Sequence, residues 1–202
     1  MELIFFILFL ISIYPINQII NKLNILPSQT GESHQNFLGK KNVPLSGGLF
    51  IIIFITYLAY ENFYLYLSFI VFYLLGVSSD KKYIISPKGR FILQMIFLTL
   101  FVNFFELRVI DLRNDYLSSL LENNIISLIF VVACFLVLIN GSNFIDGNNG
   151  ISLGYFLIIF VLIYNLINEK IIIYDETFLI SIISLLSILL IFNLFNKLYL
   201  GD

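Results

Sequence analysis

Three stretches of this 202-residue chain gather side chains that can bind ligands, between long runs of Ile, Leu and Phe that cannot. The first is Thr30-Gly31-Glu32-Ser33-His34-Gln35, followed by Gly39-Lys40-Lys41-Asn42-Val43-Pro44-Leu45-Ser46-Gly47-Gly48. The second is Gly76-Val77-Ser78-Ser79-Asp80-Lys81-Lys82, closing with Ser86-Pro87-Lys88-Gly89-Arg90. The third is Asn140-Gly141-Ser142-Asn143-Phe144-Ile145-Asp146-Gly147-Asn148-Asn149-Gly150, a polar turn joining two apolar runs with almost no chain between them. Glycine lets backbone approach a ligand closely, and asparagine offers both a donor and an acceptor, suited to a metal or a nucleobase edge. A carboxylate at the mouth of a membrane span is expensive to desolvate and marks a site, which singles out Asp80 and Asp146, with Asp202 after the last apolar run.

Separated carboxylates with asparagine among them suit a hard cation that keeps some of its waters, and Mg²⁺ bound jointly with phosphates is the usual case. Lys40, Lys41, Lys81, Lys88 and Arg90 can neutralise phosphate oxygens, Arg bidentately. Together these groups point to chemistry between a soluble phosphate compound and a lipid phosphate. Neither glycine-rich nucleotide loop of the soluble folds occurs. Plainer readings stand beside this one. Lys22, Lys82 and Lys197 fit the ends of membrane helices, Ser86 is a natural N-cap before Pro87, and Gly47-Gly48 permits close helix packing. His34, in a polar loop, is either solvated or a phosphate-facing donor. Cys134, the one cysteine, reads as a small buried hydrophobe within an apolar run.

The elements that must carry these residues follow from composition. With 59% hydrophobic and 12% charged residues, the chain has about half the charge a water-facing surface needs. Apolar runs at about 3–20, 47–60, 63–77, 91–105, 124–142, 151–167 and 178–200 predict seven transmembrane helices in a single all-α, polytopic membrane bundle over 1–202. The first run lacks a preceding basic segment and a following small-residue cleavage site, so it is read as a retained helix. Placing alternate connections on opposite sides puts eight Lys and Arg with segments 21–46, 78–90, 143–150 and 201–202 with neighbouring Lys197, against three (Arg108, Arg113, Lys170) on the other side. This bias predicts a periplasmic N-terminus and a cytoplasmic face carrying all three polar stretches, in the inner membrane. A net charge of −2 with no basic run argues against a nucleic-acid partner. Apart from Lys197 near the end of the last run, no charged side chain lies inside the seven runs, and none falls at mid-bilayer, which argues against a transporter.

On these motifs the chain resembles the polyprenyl-phosphate N-acetylhexosamine-1-phosphate transferases of glycosyltransferase family 4. The most specific element is Asn140 to Gly150, similar to the family's N-x-x-N-x-x-D-G-x-x-G-L signature; Val43 to Gly48, Gly76 to Asp80, Ser86-Pro87, Arg90 and Gly201-Asp202 support it in order. The resemblance implies transfer of a sugar 1-phosphate from a UDP-N-acetylhexosamine to undecaprenyl phosphate, releasing UMP, in cell-envelope glycan synthesis. It implies Mg²⁺, or Mn²⁺ in its place, and a homodimer as the assembly to consider. By position, Asp202 and Asn143 would hold the metal, Asn149 would face the uracil, and Gly47 and Gly48 would shape the nucleotide pocket. Arg90, Lys88, Lys40, Lys41 and His34 would contact phosphate, and Asp80 would orient or deprotonate the lipid phosphate with Asp146 beside it. Two departures stand out. Ser79-Asp80 replaces the Asp-Asp of many members, and the chain stops at Asp202 where members continue into further spans and a histidine-rich cytoplasmic loop. The expectation is an N-terminal part of the family fold or a shortened gene. The alternative to catalysis is a non-catalytic membrane protein that keeps a UDP-sugar or lipid-phosphate site.

Overall fold

The computed structural model describes residues 3–26, 43–58, 62–81, 83, 86–109, 112–145, 150–168 and 176–201. Among them the chain is all helical: α1 (Leu3–Leu23), α2 (Gly47–Leu58), α3 (Phe63–Asp80), α4 (Pro87–Phe104), α5 (Asp115–Leu121), α6 (Asn124–Ile145), α7 (Ile151–Asn168) and α8 (Glu176–Leu194). Seven of these fall on the seven apolar runs. The seven-residue α5 was not foreseen. It exists because Asn114 accepts from the Leu117 amide at 3.1 Å while the Ser118 hydroxyl accepts from the Leu112 amide at 3.1 Å, closing a helix that its length alone would not sustain.

Helices α1, α3, α6 and α8 are each long and apolar enough to cross a bilayer, whereas α2 and α7 carry shorter apolar stretches. This is a multi-pass membrane protein, and its surface fits lipid. Val137 is 72% exposed and Phe195 71%, while Asn17, Ser46, Ser152, Ser181 and Asn193 are buried. Lipid tails are as apolar as leucine, so helix association selects small and hydrogen-bonding groups for the interior instead of merely hiding hydrophobes. Cys134 is therefore a correction: it lies exposed on α6, where an apolar thiol in lipid needs no protein cover.

The chain divides into two compact units, residues 1–81 with 145–202, and residues 82–144. In the first, α7 packs along α8 and α2 along α3. The core is a stripe of α8 (Leu179, Ile182, Leu185, Leu186, Leu189) meeting Phe6, Ile13 and Ile20 of α1, Phe50 and Phe54 of α2, and Leu153 of α7. The α1 residues recur every seventh position, the spacing that keeps one face of a helix turned inward. In the second unit α4 and α6 bury Leu98, Val102, Val131, Val132 and Leu136. Near one end of these helices the Asn140 amide donates to Gln94 Oε1 at 3.2 Å and to the Leu136 carbonyl at 2.8 Å.

Helix ends differ from the sequence boundaries in instructive ways. The last apolar run is not helical to its end: α8 stops at Leu194, Asn196 takes φ +55°, and the Lys197 amide reaches back to the Phe192 carbonyl at 2.9 Å. Asn24 (φ 50°) and Glu106 (φ 50°) close α1 and α4 in the same way. This six-to-one closure usually employs glycine; here asparagine, which tolerates the left-handed region, does it twice and glutamate once. Conversely, α6 runs on through Asn143 to Ile145 and α3 through Asp80, although both stretches read as loop. Their polar side chains bond back into the helix, Ser142 Oγ to Leu138 O at 2.7 Å and Ser78 Oγ to Leu74 O at 2.6 Å, so polarity does not end it.

Candidate functional site

In the first unit the site is built around Asp80, the last residue of α3, whose side chain is only 7% exposed. A carboxylate at the negative end of a helix dipole, withdrawn from water, is placed against two electrostatic costs at once. It faces backbone. A Cβ added at Gly201 would stand 2.7 Å from Asp80 Oδ2 and 3.3 Å from Leu45 Cβ, and Gly201 has φ +82°, so glycine alone fits there. The contact brings the ends of two sequence-distant motifs together, Gly76 to Asp80 and Gly201-Asp202.

Gly201 is delivered by an extended strap, residues 197–201, held almost entirely through its backbone. The Gly47 amide donates to Tyr199 O at 2.8 Å and the Gly48 amide to Leu200 O at 3.0 Å, while the Tyr199 amide donates to Pro44 O at 3.0 Å. Asn17 Nδ2 donates to Lys197 O at 2.7 Å and Asn193 Nδ2 to Leu198 O at 3.2 Å. Ser46 Oγ donates to Asn17 Oδ1. Gly47 and Gly48 admit this approach because a Cβ at either would meet Leu200 or Tyr199 backbone at 3.0–3.1 Å. Their amides, unpaired within α2, are thus already occupied by the strap, and what they offer a ligand is shape. Asn193 Oδ1, by contrast, is buried without a partner, an arrangement that costs about 1–3 kcal/mol.

In the second unit, Ser86 caps α4 by accepting from the Gly89 amide at 3.4 Å, with Pro87 in the first turn, as its sequence indicates. Lys88 is exposed in that turn and Arg90 half-buried in the next. Two cations at the positive end of a helix make that end attractive to an anion. Asn143 is half-buried in the last turn of α6, one turn beyond Asn140. Asp146, Asn149, Asp202, His34, Lys40 and Lys41 lie outside the described residues. Among the described residues, no three His, Cys, Asp or Glu side chains come together. Asn17, Asn193 and Gln94 were not anticipated, and Ser46 was noted only as part of the Val43 to Gly48 motif. The available signal was an asparagine on the buried stripe of α1 and another on that of α8, where a hydrophobe would be expected.

The profile of glycosyl transferase family 4 matches residues 62–202. The chain belongs to this family. Within the match lie Asp80, Lys88, Arg90, Asn143 and the whole strap, so the geometry above is that of a glycosyl transferase family 4 chain. It is also 28% identical, over 167 residues, to a phospho-N-acetylmuramoyl-pentapeptide-transferase of Prochlorococcus marinus subsp. pastoris, covering 71% of this chain and 45% of that protein. The chain therefore spans less than half the length of that relative. No solved structure matches it significantly.

Proposed function

We propose that this chain carries out, or forms part of a protein that carries out, transfer of a sugar 1-phosphate from a UDP-N-acetylhexosamine to undecaprenyl phosphate on the cytoplasmic face of the inner membrane. The observation that carries this reading is the buried Asp80 carboxylate held against Gly201 in a family 4 chain. A lipid-phosphate oxygen attacks the β-phosphorus of the UDP-sugar, the bond from that phosphorus to the oxygen bridging toward the nucleoside breaks, and UMP leaves. Asp80 orients the attacking phosphate or takes its proton, with Asp146 beside it. Lys88 and Arg90, with Lys40, Lys41 and His34, hold phosphate oxygens; Asn149 faces the uracil, and Gly47 and Gly48 shape its pocket. These roles follow motif positions.

Asp80 offers the carboxylate oxygen that a hard divalent ion takes, although among the described residues no three His, Cys, Asp or Glu side chains come together. By motif position Asp202 and Asn143 would hold Mg²⁺, or Mn²⁺ in its place. When bound, it offsets charge building on the diphosphate.

The test is purified protein in lipid nanodiscs with undecaprenyl phosphate, Mg²⁺ and radiolabelled UDP-GlcNAc or UDP-MurNAc-pentapeptide. Labelled lipid from either donor supports the reading, and the donor used identifies the sugar. Absence of product together with absence of UDP binding by calorimetry overturns it. Binding without turnover would instead establish the non-catalytic alternative.

A further inference from the structure

Two amides interrupt the buried stripes of the first unit where apolar side chains would otherwise pack. On α1 the buried positions are Phe6, Ile13, Asn17 and Ile20; on α8 they include Ile182, Leu186, Leu189 and Asn193. Packing does not account for either one. A leucine at 193 would continue its stripe and remove the unmet Asn193 Oδ1, but it would leave the buried Leu198 carbonyl without its donor. What the amide supplies is its other half, Nδ2 on Leu198 O. Asn17 supplies the same to the preceding carbonyl, Lys197 O, and its own orientation is set by the fully buried Ser46 hydroxyl. Since Gly47 and Gly48 donate to Tyr199 O and Leu200 O, all four successive carbonyls from Lys197 to Leu200 have donors drawn from α1, α8 and the start of α2. The strap thus reaches Asp80 in one register and at one height, with Gly201 in its left-handed conformation.

We propose that Asn193 and Asn17, the latter oriented by Ser46, are positioning residues of the transfer reaction: they hold strap 197–201 so that Gly201 stays against Asp80 and the attacking group is presented at a fixed place. This rests on the assignment of Asp80 above. Groups fixed by hydrogen bonds from rigid elements act on the rate of the chemical step more than on capture of a substrate, because a displacement of about 1 Å costs roughly 10²-fold in rate.

The experiment has one arm that needs no turnover. Val43, only 3% exposed and adjoining the Pro44 carbonyl that pairs with Tyr199, is replaced by cysteine in a Cys134→Ser background, and its alkylation by a water-soluble maleimide is timed in detergent. Asn17→Leu and Asn193→Leu should each raise that rate at least tenfold, Ser46→Ala less, and Ser46→Thr hardly at all. Unchanged rates in both leucine variants overturn the clamp whatever the activity. In the second arm the same variants should lose at least tenfold in kcat while KM for the UDP-sugar stays within twofold and Ser46→Thr retains the full rate. Full kcat despite fast alkylation, or a change in KM alone, overturns the positioning role. If a leucine variant unfolds, seen as lost helical circular dichroism, Ser46→Ala against Ser46→Thr decides both arms. If the parent chain neither makes lipid product nor binds UDP, the functional reading fails, and the alkylation arm still decides whether these amides hold the strap.

Discussion

At the scale of single residues, the contact between Asp80 and Gly201 is the tightest approach to any of the described glycines. Gly201→Ala must place a Cβ 2.7 Å from Asp80 Oδ2 on a backbone at φ +82°. The left-handed backbone alone costs roughly 1–2 kcal/mol, and the clash displaces either the carboxylate or the strap. The expected outcome is loss of most transfer activity with a modest fall in the thermal midpoint, measured on the same preparation. Asp80→Asn, which keeps the volume and removes the charge, should lower kcat by about 10²-fold or more if the carboxylate takes a proton, and leave the fold intact by circular dichroism. Asp80 was legible from sequence because a carboxylate at the end of an apolar run has no ordinary explanation. Its glycine partner was visible only as a motif, since nothing in the local sequence says which residue 201 will meet.

At the scale of elements, glycines of identical composition have opposite consequences. Gly47→Ala would press a Cβ to 3.0 Å from Leu200 Cα and 3.1 Å from Tyr199 O, and backbone cannot yield as a side-chain tip can. An overpacking cost of about 1–3 kcal/mol and release of the strap are expected. Gly154→Ala, in α7 with open space around it, should be neutral or stabilising by up to about 1 kcal/mol. Unfolding in mixed micelles compares the two. The bond between Gln94 and Asn140 registers α4 on α6, and a double-mutant cycle with Gln94→Leu and Asn140→Leu should return a coupling of roughly 0.6 kcal/mol, the usual worth of such a pair between membrane helices. Seven helices were readable from apolar runs, although only α1, α3, α6 and α8 among the described residues have the length and apolarity of a span and α2 and α7 carry shorter apolar stretches. Helix ends were less so. A run of apolar residues does not reveal that α8 turns at Asn196, and polar residues at 140–145 do not reveal that Asn140 and Ser142 bond their own helix. The short α5 was hidden because its apolar content is too small to register against the spans, although Asn114-Asp115 is a recognisable start.

At the scale of the whole molecule, an apolar exterior over a partly polar interior describes a protein whose solvent is lipid. The orientation rests on the distribution of Lys and Arg, and it has a direct check. In a Cys134→Ser background, cysteine at Lys197 should react with an impermeant maleimide only from the cytoplasmic side, and cysteine at Tyr116, 72% exposed, only from the periplasm. Labelling of both positions from one side would remove the basis for placing the polar stretches together.

The strap carries a consequence for how sequences of this kind can change. Between Asn193 and Gly201 the exposed Phe195 can be exchanged for other apolar side chains, because it supports no contact the strap depends on. The number of residues is another matter. Inserting or deleting one would shift four carbonyls past their donors simultaneously and carry Gly201 away from Asp80. This segment acts as a ruler whose length is fixed while its markings are not, and counting residues there should identify working copies better than comparing their letters.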